Sequence, residues 1–127
     1  MKYLLTILTI LLFASSAQAG ITLTGDYTEY QKQSAESLSP FFGNDFEIEV
    51  VDYPICGTNY SWGCTTFIKT DEKLEPIKIQ MRKDTPKGIT MGVMLDEIAH
   101  TAFKTIDEDR TDAFVYNFLM WFNWYLK

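Results

Sequence analysis

The spacing of apolar residues changes from alternate positions to a helical repeat between residues 82 and 90 of this chain. Residues 46–51 (FEIEVV) and 76–82 (PIKIQMR) alternate apolar with polar side chains, which predicts strands with one dry face. Residues 65–70 (TTFIKT) predict another strand, and Pro76 is compatible with the start of an edge strand. From Thr90 onward, apolar residues recur as in a helix that packs one face on a core. They are Leu95, Ile98, Ala99, Ala102, Phe103 and Ile106. An α+β domain with a three- to four-stranded sheet is predicted.

A first helix is predicted before the strands, so that the order is a helix, then strands, then helices. Asp26 can cap it, and Glu29 supplies an acidic first turn. Its proposed inner face consists of Tyr27, Tyr30, Ser34 and Leu38. The helix should run to about Ser39, because Pro40 and Gly43 follow.

The C-terminal segment AFVYNFLMWFNWYL is apolar nearly all round, after an acidic start at residues 107–110 that suits a helix N-terminus. Its fourteen residues are too few to cross a bilayer, so it is predicted to be the central buried helix of the domain. A membrane-inserted tail is the alternative. Asn117 and Asn123 within the segment, and Asp112 just before it, count against that alternative.

The first nineteen residues have the pattern of an export signal. Lys2 precedes an apolar run over residues 3–14, and Ala17 and Ala19 form a small-residue cleavage signature. Residues 20–127 would then be a single periplasmic or secreted domain, with no membrane span left after cleavage. Without Lys2, ten basic residues face seventeen acidic ones. This balance disfavours nucleic acid and anionic membranes as partners.

Two cysteines, Cys56 and Cys64, lie eight positions apart in CGTNYSWGC. In an oxidising compartment such a pair favours an intrachain disulfide, worth roughly 2–3 kcal/mol in the chain-entropy model. A two-cysteine metal site is the rival interpretation, but no histidine lies nearby.

Within MLDEIAHTAF, Asp96 and His100 are one helical turn apart, so both side chains can reach the same ion. Glu97 points about 100° round the helix, beside that ion. In the zinc motif His-Glu-x-x-His this geometry gives two ligands and a glutamate that acts as general base on the activated water. The segment differs from that motif at Asp96.

The order of elements, with DEIAH and EDRTDAFV, resembles the zincin metallopeptidases, in particular the compact members with a glutamate third ligand. In these, an edge strand precedes the active-site helix, and a second helix opens with the third ligand. The resemblance implies a zincin-like domain that cleaves peptide bonds. Asp96, His100 and Glu108 would hold zinc or another divalent cation, Glu97 would be the base, and Asp112 would orient His100.

With Asp96 in place of histidine, a second carboxylate would bind the ion. The added negative charge weakens the pull of the ion on bound water, and such a ligand set suits harder cations than zinc. The gap of seven residues between His100 and Glu108 also restricts how the second helix turns back. A degenerate site is therefore one alternative to catalysis. The other is a coincidental motif, in which Asp96 and His100 form a weak surface ion pair.

Other chemistries find less support in the sequence. No Gly-x-Ser-x-Gly elbow or glycine-rich phosphate loop is present. Asp107 and Asp109 could bind calcium weakly, although a charged, solvated helix start explains them better. The second functional hypothesis is a non-catalytic periplasmic binding protein of the inhibitor or immunity type. Tyr60 and Trp62, in the disulfide loop, would contact its protein partner or simply cover the sheet.

Overall fold

The computed structural model describes residues 20–56 and 61–125, so the predicted export signal and Tyr60 lie outside the described residues. The elements are strand β1 (Gly20–Gly25), helix α1 (Glu29–Leu38), strands β2 (Asp45–Val51), β3 (Gly63–Thr70) and β4 (Lys73–Arg82), and helices α2 (Thr90–Phe103) and α3 (Glu108–Tyr125). Two short 3-10 turns, Ser39–Phe41 and Lys87–Ile89, follow α1 and precede α2. The α+β class is confirmed.

The four strands form one mixed sheet in the order β1-β2-β4-β3. β1, β2 and β4 run parallel, while β3 is antiparallel to β4. Two expectations are corrected here: the fold begins with a strand, and β4 is not an edge strand, because β3 covers its outer side. Pro76 lies in the half of β4 that pairs only with β3, opposite Phe67 at a shift in register. Its missing N–H therefore interrupts no bond to β2.

Helix α1 starts with a capping box built on Thr28 rather than on Asp26. The Thr28 hydroxyl accepts a hydrogen bond from the backbone N–H of Gln31, and the Gln31 side chain accepts one from the Thr28 N–H. Asp26 instead pairs with Lys83. The Gln31 amide also donates to the carbonyls of Arg82 and Lys83, which ties α1 to the end of β4. Tyr27, expected on the inner face, is exposed.

The core lies between one face of the sheet and the helices α1 and α2. Its fully buried residues include Leu38, Ile48, Val50, Met81, Leu95 and Ile98. On the opposite face Gln80 is also buried, although the alternating pattern predicted a solvated residue. Its amide donates to Glu49 and accepts from the backbone N–H of Ile55. Gln80 thereby anchors the segment that leads to Cys56.

Helix α3 is where it was predicted, but the expectation that it is the central buried helix is wrong. Tyr116 is 64% exposed and Trp124 72% exposed, while Thr111 and Phe122 are buried. The reason is that α1 and α2 already cover the apolar face of the sheet, so α3 packs through one side only. No helix of the described residues is long and apolar enough to cross a membrane.

Candidate metal centre

The end of α2 orients the ring of His100. Lys104 adopts the left-handed conformation (φ 50°), which turns the chain so that the Thr105 N–H bonds to the His100 carbonyl. The Thr105 carbonyl then lies 2.7 Å from Nδ1 of His100. A carbonyl can only accept, so Nδ1 carries a proton and Nε2 is the atom directed at the two carboxylates.

Three side chains converge at this point. Nε2 of His100 lies 3.6 Å from Oδ2 of Asp96 and 3.2 Å from Oε1 of Glu108. Asp107 allows α3 to begin soon after the end of α2. Its carboxylate accepts a hydrogen bond from the backbone N–H of Asp109, and its own N–H donates one to the Thr105 hydroxyl. That cap starts α3 at Glu108, against α2. Asp107 and Asp109 thus form a helix start.

Asp96, His100 and Glu108 form a group that could hold a metal ion, with one donor atom from each within 4.8 Å of the others. Around a tetrahedral zinc ion, donors at about 2.0–2.1 Å from the metal are roughly 3.3 Å apart. The two separations from His100 match this value closely. Oδ1 of Asp96 is buried and has no hydrogen-bond partner among the described residues. Such an atom is costly unless a cation or another donor satisfies it.

The same geometry also suits a proton. Burial lowers the pKa of His100, but the Thr105 carbonyl and the carboxylates of Asp96, Glu97 and Glu108 together raise it above its ordinary value. A protonated His100 between two carboxylates is therefore the competing occupant of the site. Because a metal ligand must be a neutral imidazole, a cation and this proton exclude each other.

Glu97 lies beside the group and is buried beneath β3, not on an open face of α2. Its Oε2 accepts a 2.6 Å hydrogen bond from the Thr65 hydroxyl. Burial raises the pKa of Glu97 to about 7, with the Thr65 hydrogen bond opposing the rise and the Asp96 and Glu108 carboxylates adding to it. A carboxyl with such a pKa can take and return a proton near neutral pH.

Gly63 makes the approach of β3 to α2 possible. A Cβ at this position would lie 2.9 Å from Cγ1 of Val93 and 3.1 Å from Cγ of Glu97. Only glycine fits there without displacing the neighbouring side chains. Neither Gly63 nor Thr65 was predicted to belong to the site, because neither carries a motif and both act through contacts with a distant helix.

Two clefts, of about 370 and 250 Å³, open next to the group. Both are lined by Ser61, Gly63, Glu97 and Glu108. The larger cleft also contacts Asp96 and Asp112, and the smaller contacts His100 and the cysteine pair. The clefts therefore lead from the edge of the sheet to the candidate ligands, of which Glu108 is exposed and His100 is buried.

Asp112 lines the larger cleft, but the role of orienting His100 belongs to the Thr105 carbonyl. Trp62 is half-buried, with the Arg82 guanidinium 4.7 Å from its ring centroid. This stacking with Arg82 leaves Trp62 less available as a partner contact than the sequence suggested. The predicted disulfide between Cys56 and Cys64 is present, which excludes the two-cysteine metal site.

Comparisons with protein families, curated proteins and solved structures find no match to this chain. The zincin resemblance therefore stays a prediction that rests on the motif residues. The convergence of Asp96, His100 and Glu108 is a property of this fold, independent of any relative.

Proposed function

We propose that this protein is an exported, cation-dependent hydrolase of peptide bonds with a zincin-like site. The observation that carries the proposal is the convergence of Asp96, His100 and Glu108 beside a buried glutamate whose pKa is raised to about 7. Three ligand groups from the protein leave coordination positions open, which is the arrangement of catalytic rather than structural sites. The adjoining clefts give a substrate access to the site.

A bound divalent cation would supply polarisation of the scissile carbonyl and activation of water. Asp96, His100 and Glu108 would hold it, with the Thr105 carbonyl fixing the imidazole so that Nε2 faces the cation. The Thr65 hydroxyl engages Oε2 of Glu97, so Oε1 is the atom for proton transfer. Glu97 takes a proton as water adds to the carbonyl carbon, and returns it to the leaving amine as the C–N bond breaks.

The position of β3 supports an extended peptide as substrate. β3 is the edge strand beside the clefts, and its outer backbone groups have no strand partner among the described residues. An extended peptide can add to such an edge through main-chain hydrogen bonds. This would place a scissile bond near Glu97, because Gly63 and Thr65 of the same strand contact that residue.

The donor set favours a harder cation than zinc. Two carboxylates and one imidazole suit Mn²⁺ or Fe²⁺ better than a site with two or three histidines would. The negative charges of Asp96 and Glu108 also lower the net positive charge at the site, which weakens activation of water. The activity should therefore be strongest with Mn²⁺.

The test is digestion of a peptide mixture by the mature protein with Mn²⁺ or Zn²⁺, followed by mass spectrometry. Wild-type protein should cleave, and Glu97→Gln should be slower by roughly 10²–10⁴-fold, the usual contribution of a general base. Glu97→Gln keeps the three ligands, so it is the matched control for contaminating peptidases. Equal cleavage by both proteins would contradict the proposal.

The second candidate is a non-catalytic periplasmic binding protein on the same scaffold, of the inhibitor or immunity type. It is favoured by the 3.2 Å contact between His100 and Glu108, an ion pair that needs no cation when His100 is protonated. The wild-type protein and Asp96→Ala separate the two candidates. Cleavage by the wild type that is lost in Asp96→Ala indicates the hydrolase, whereas a wild type that neither retains the cation nor cleaves supports the binding protein.

A further inference from the structure

The outward face of α3 carries a ridge of exposed apolar side chains. Tyr116, Met120 and Trp124, spaced four residues apart, are 64%, 58% and 72% exposed, and we name these three the outer ridge. Residues 113–125 contain no charged side chain, although 22% of the whole chain is charged. An exposed apolar patch of this kind commonly marks an interaction site.

The outer ridge is not needed for the packing of α3 within its own chain. That packing uses the opposite side of the helix, where Phe118 and Phe122 lie 5.9 and 5.5 Å from the ring of Phe41. Phe114 contacts Phe103 of α2 in the same way. The two faces of α3 are thus both apolar, and one remains uncovered in the part of the chain that the structure describes.

The size of the outer ridge fits association with a second copy. With about 200 Å² for each large side chain, its three residues expose roughly 400 Å². Two ridges face to face would remove about 800 Å² from water, and flanking residues such as Asn117 and Trp121 bring the total near 1,000 Å², the lower limit for a specific interface. Spacing by four residues also lets two such ridges interdigitate at about −50°.

The charge distribution favours a second copy of the chain, rather than a membrane surface, as the partner of the outer ridge. The formal net charge of the chain is −6, so an anionic bilayer would repel it, and α3 has no basic residue after Arg110 to offset this. The uncharged face of α3 is where two acidic copies can meet without bringing like charges together. We propose that the outer ridge is the interface of a two-fold symmetric homodimer, in which each ridge packs against the same ridge of the partner.

Sedimentation velocity of the mature protein at about 10–100 µM tests this proposal. Wild-type protein should sediment as a dimer. Met120→Glu places a charge at the centre of the ridge and should weaken the dimer at least about 30-fold, as expected for a central interface residue. Tyr116→Arg should weaken the dimer in the same way. Ile77→Glu is the matched control, because Ile77 is 56% exposed on β4, away from the ridge, and this variant should remain dimeric.

Circular dichroism and thermal unfolding are the measurements that check whether each variant is folded. A monomeric wild-type protein throughout the concentration range would overturn the proposal, as would equal dissociation by Met120→Glu and Ile77→Glu. A wild-type monomer that co-sediments with phosphatidylcholine vesicles would assign the ridge to a membrane surface, which also overturns it.

Discussion

The Thr65 hydroxyl donates a 2.6 Å hydrogen bond to the Glu97 carboxylate and so joins the edge strand β3 to α2, the helix that carries Asp96 and His100. Thirty-two positions separate the two residues in sequence. The Glu97 side chain is buried, and this hydrogen bond satisfies one of its two carboxyl oxygens. It opposes the effect of burial, so it keeps the pKa of Glu97 from rising further.

Replacing Thr65 with Val removes this donor at nearly constant volume. We expect the pKa of Glu97 to rise above its present value of about 7, because only the hydrogen bond to the ionised form is lost. Thr65→Ser keeps the hydroxyl and should leave the pKa near 7. Titration of the Glu97 carboxyl carbon by NMR measures this directly. An unchanged pKa in Thr65→Val would show that Thr65 does not tune Glu97.

The metal-free protein should lose stability as the pH rises towards 8. Burial raises the folded-state pKa of Glu97 from 4.5 to about 7, so the folded chain binds more protons than the unfolded chain between these values. The stabilisation is complete below pH 4.5 and is lost as the pH rises through 7. His100, whose pKa is also raised, contributes in the same direction.

Urea unfolding in the presence of a chelator measures this loss. Wild-type protein should lose roughly 1–3 kcal/mol relative to Glu97→Gln between pH 5 and pH 8, because glutamine has no titrating proton. A constant difference between the two proteins across this range would mean that Glu97 is ionised throughout.

Gly63→Ala should disturb the site through packing alone. The added methyl group would lie 2.9 Å from Val93 and 3.1 Å from the Glu97 side chain, so these side chains must shift. We expect a loss of about 1–3 kcal/mol in the free energy of unfolding. Gly43→Ala is the control, since a Cβ there meets none of the described residues within 4 Å. Equal unfolding midpoints for the two variants would refute the close approach at Gly63.

The elements that were predicted correctly depend on local periodicity. Alternation marked β2 and the second half of β4, and the helical repeat marked α2. Asp96 and His100 could be paired because residues four apart on a helix always share a side. Such features are fixed by neighbours in sequence. Glu108 was included only through the zincin resemblance, in which the second helix opens with the third ligand.

The features that were missed depend on which surfaces meet. The exposure of α3 could not be read from its composition, because it follows from α1 and α2 covering the sheet first. β1 was not predicted; it is six residues long and begins and ends with glycines at positive φ. Gly63 and Thr65 act through contacts with α2. No periodic pattern reports contacts between elements so distant in sequence.

The metal content of the mature protein tests the central claim most directly. After equilibration with Mn²⁺ or Zn²⁺ and removal of free metal, wild-type protein and Glu97→Gln should each retain one cation per chain. Asp96→Ala and His100→Ala should retain none, because each removes one of the three ligand groups. Absence of bound metal from all four proteins would contradict the metal site and leave His100 as the protonated centre of an ion-pair cluster.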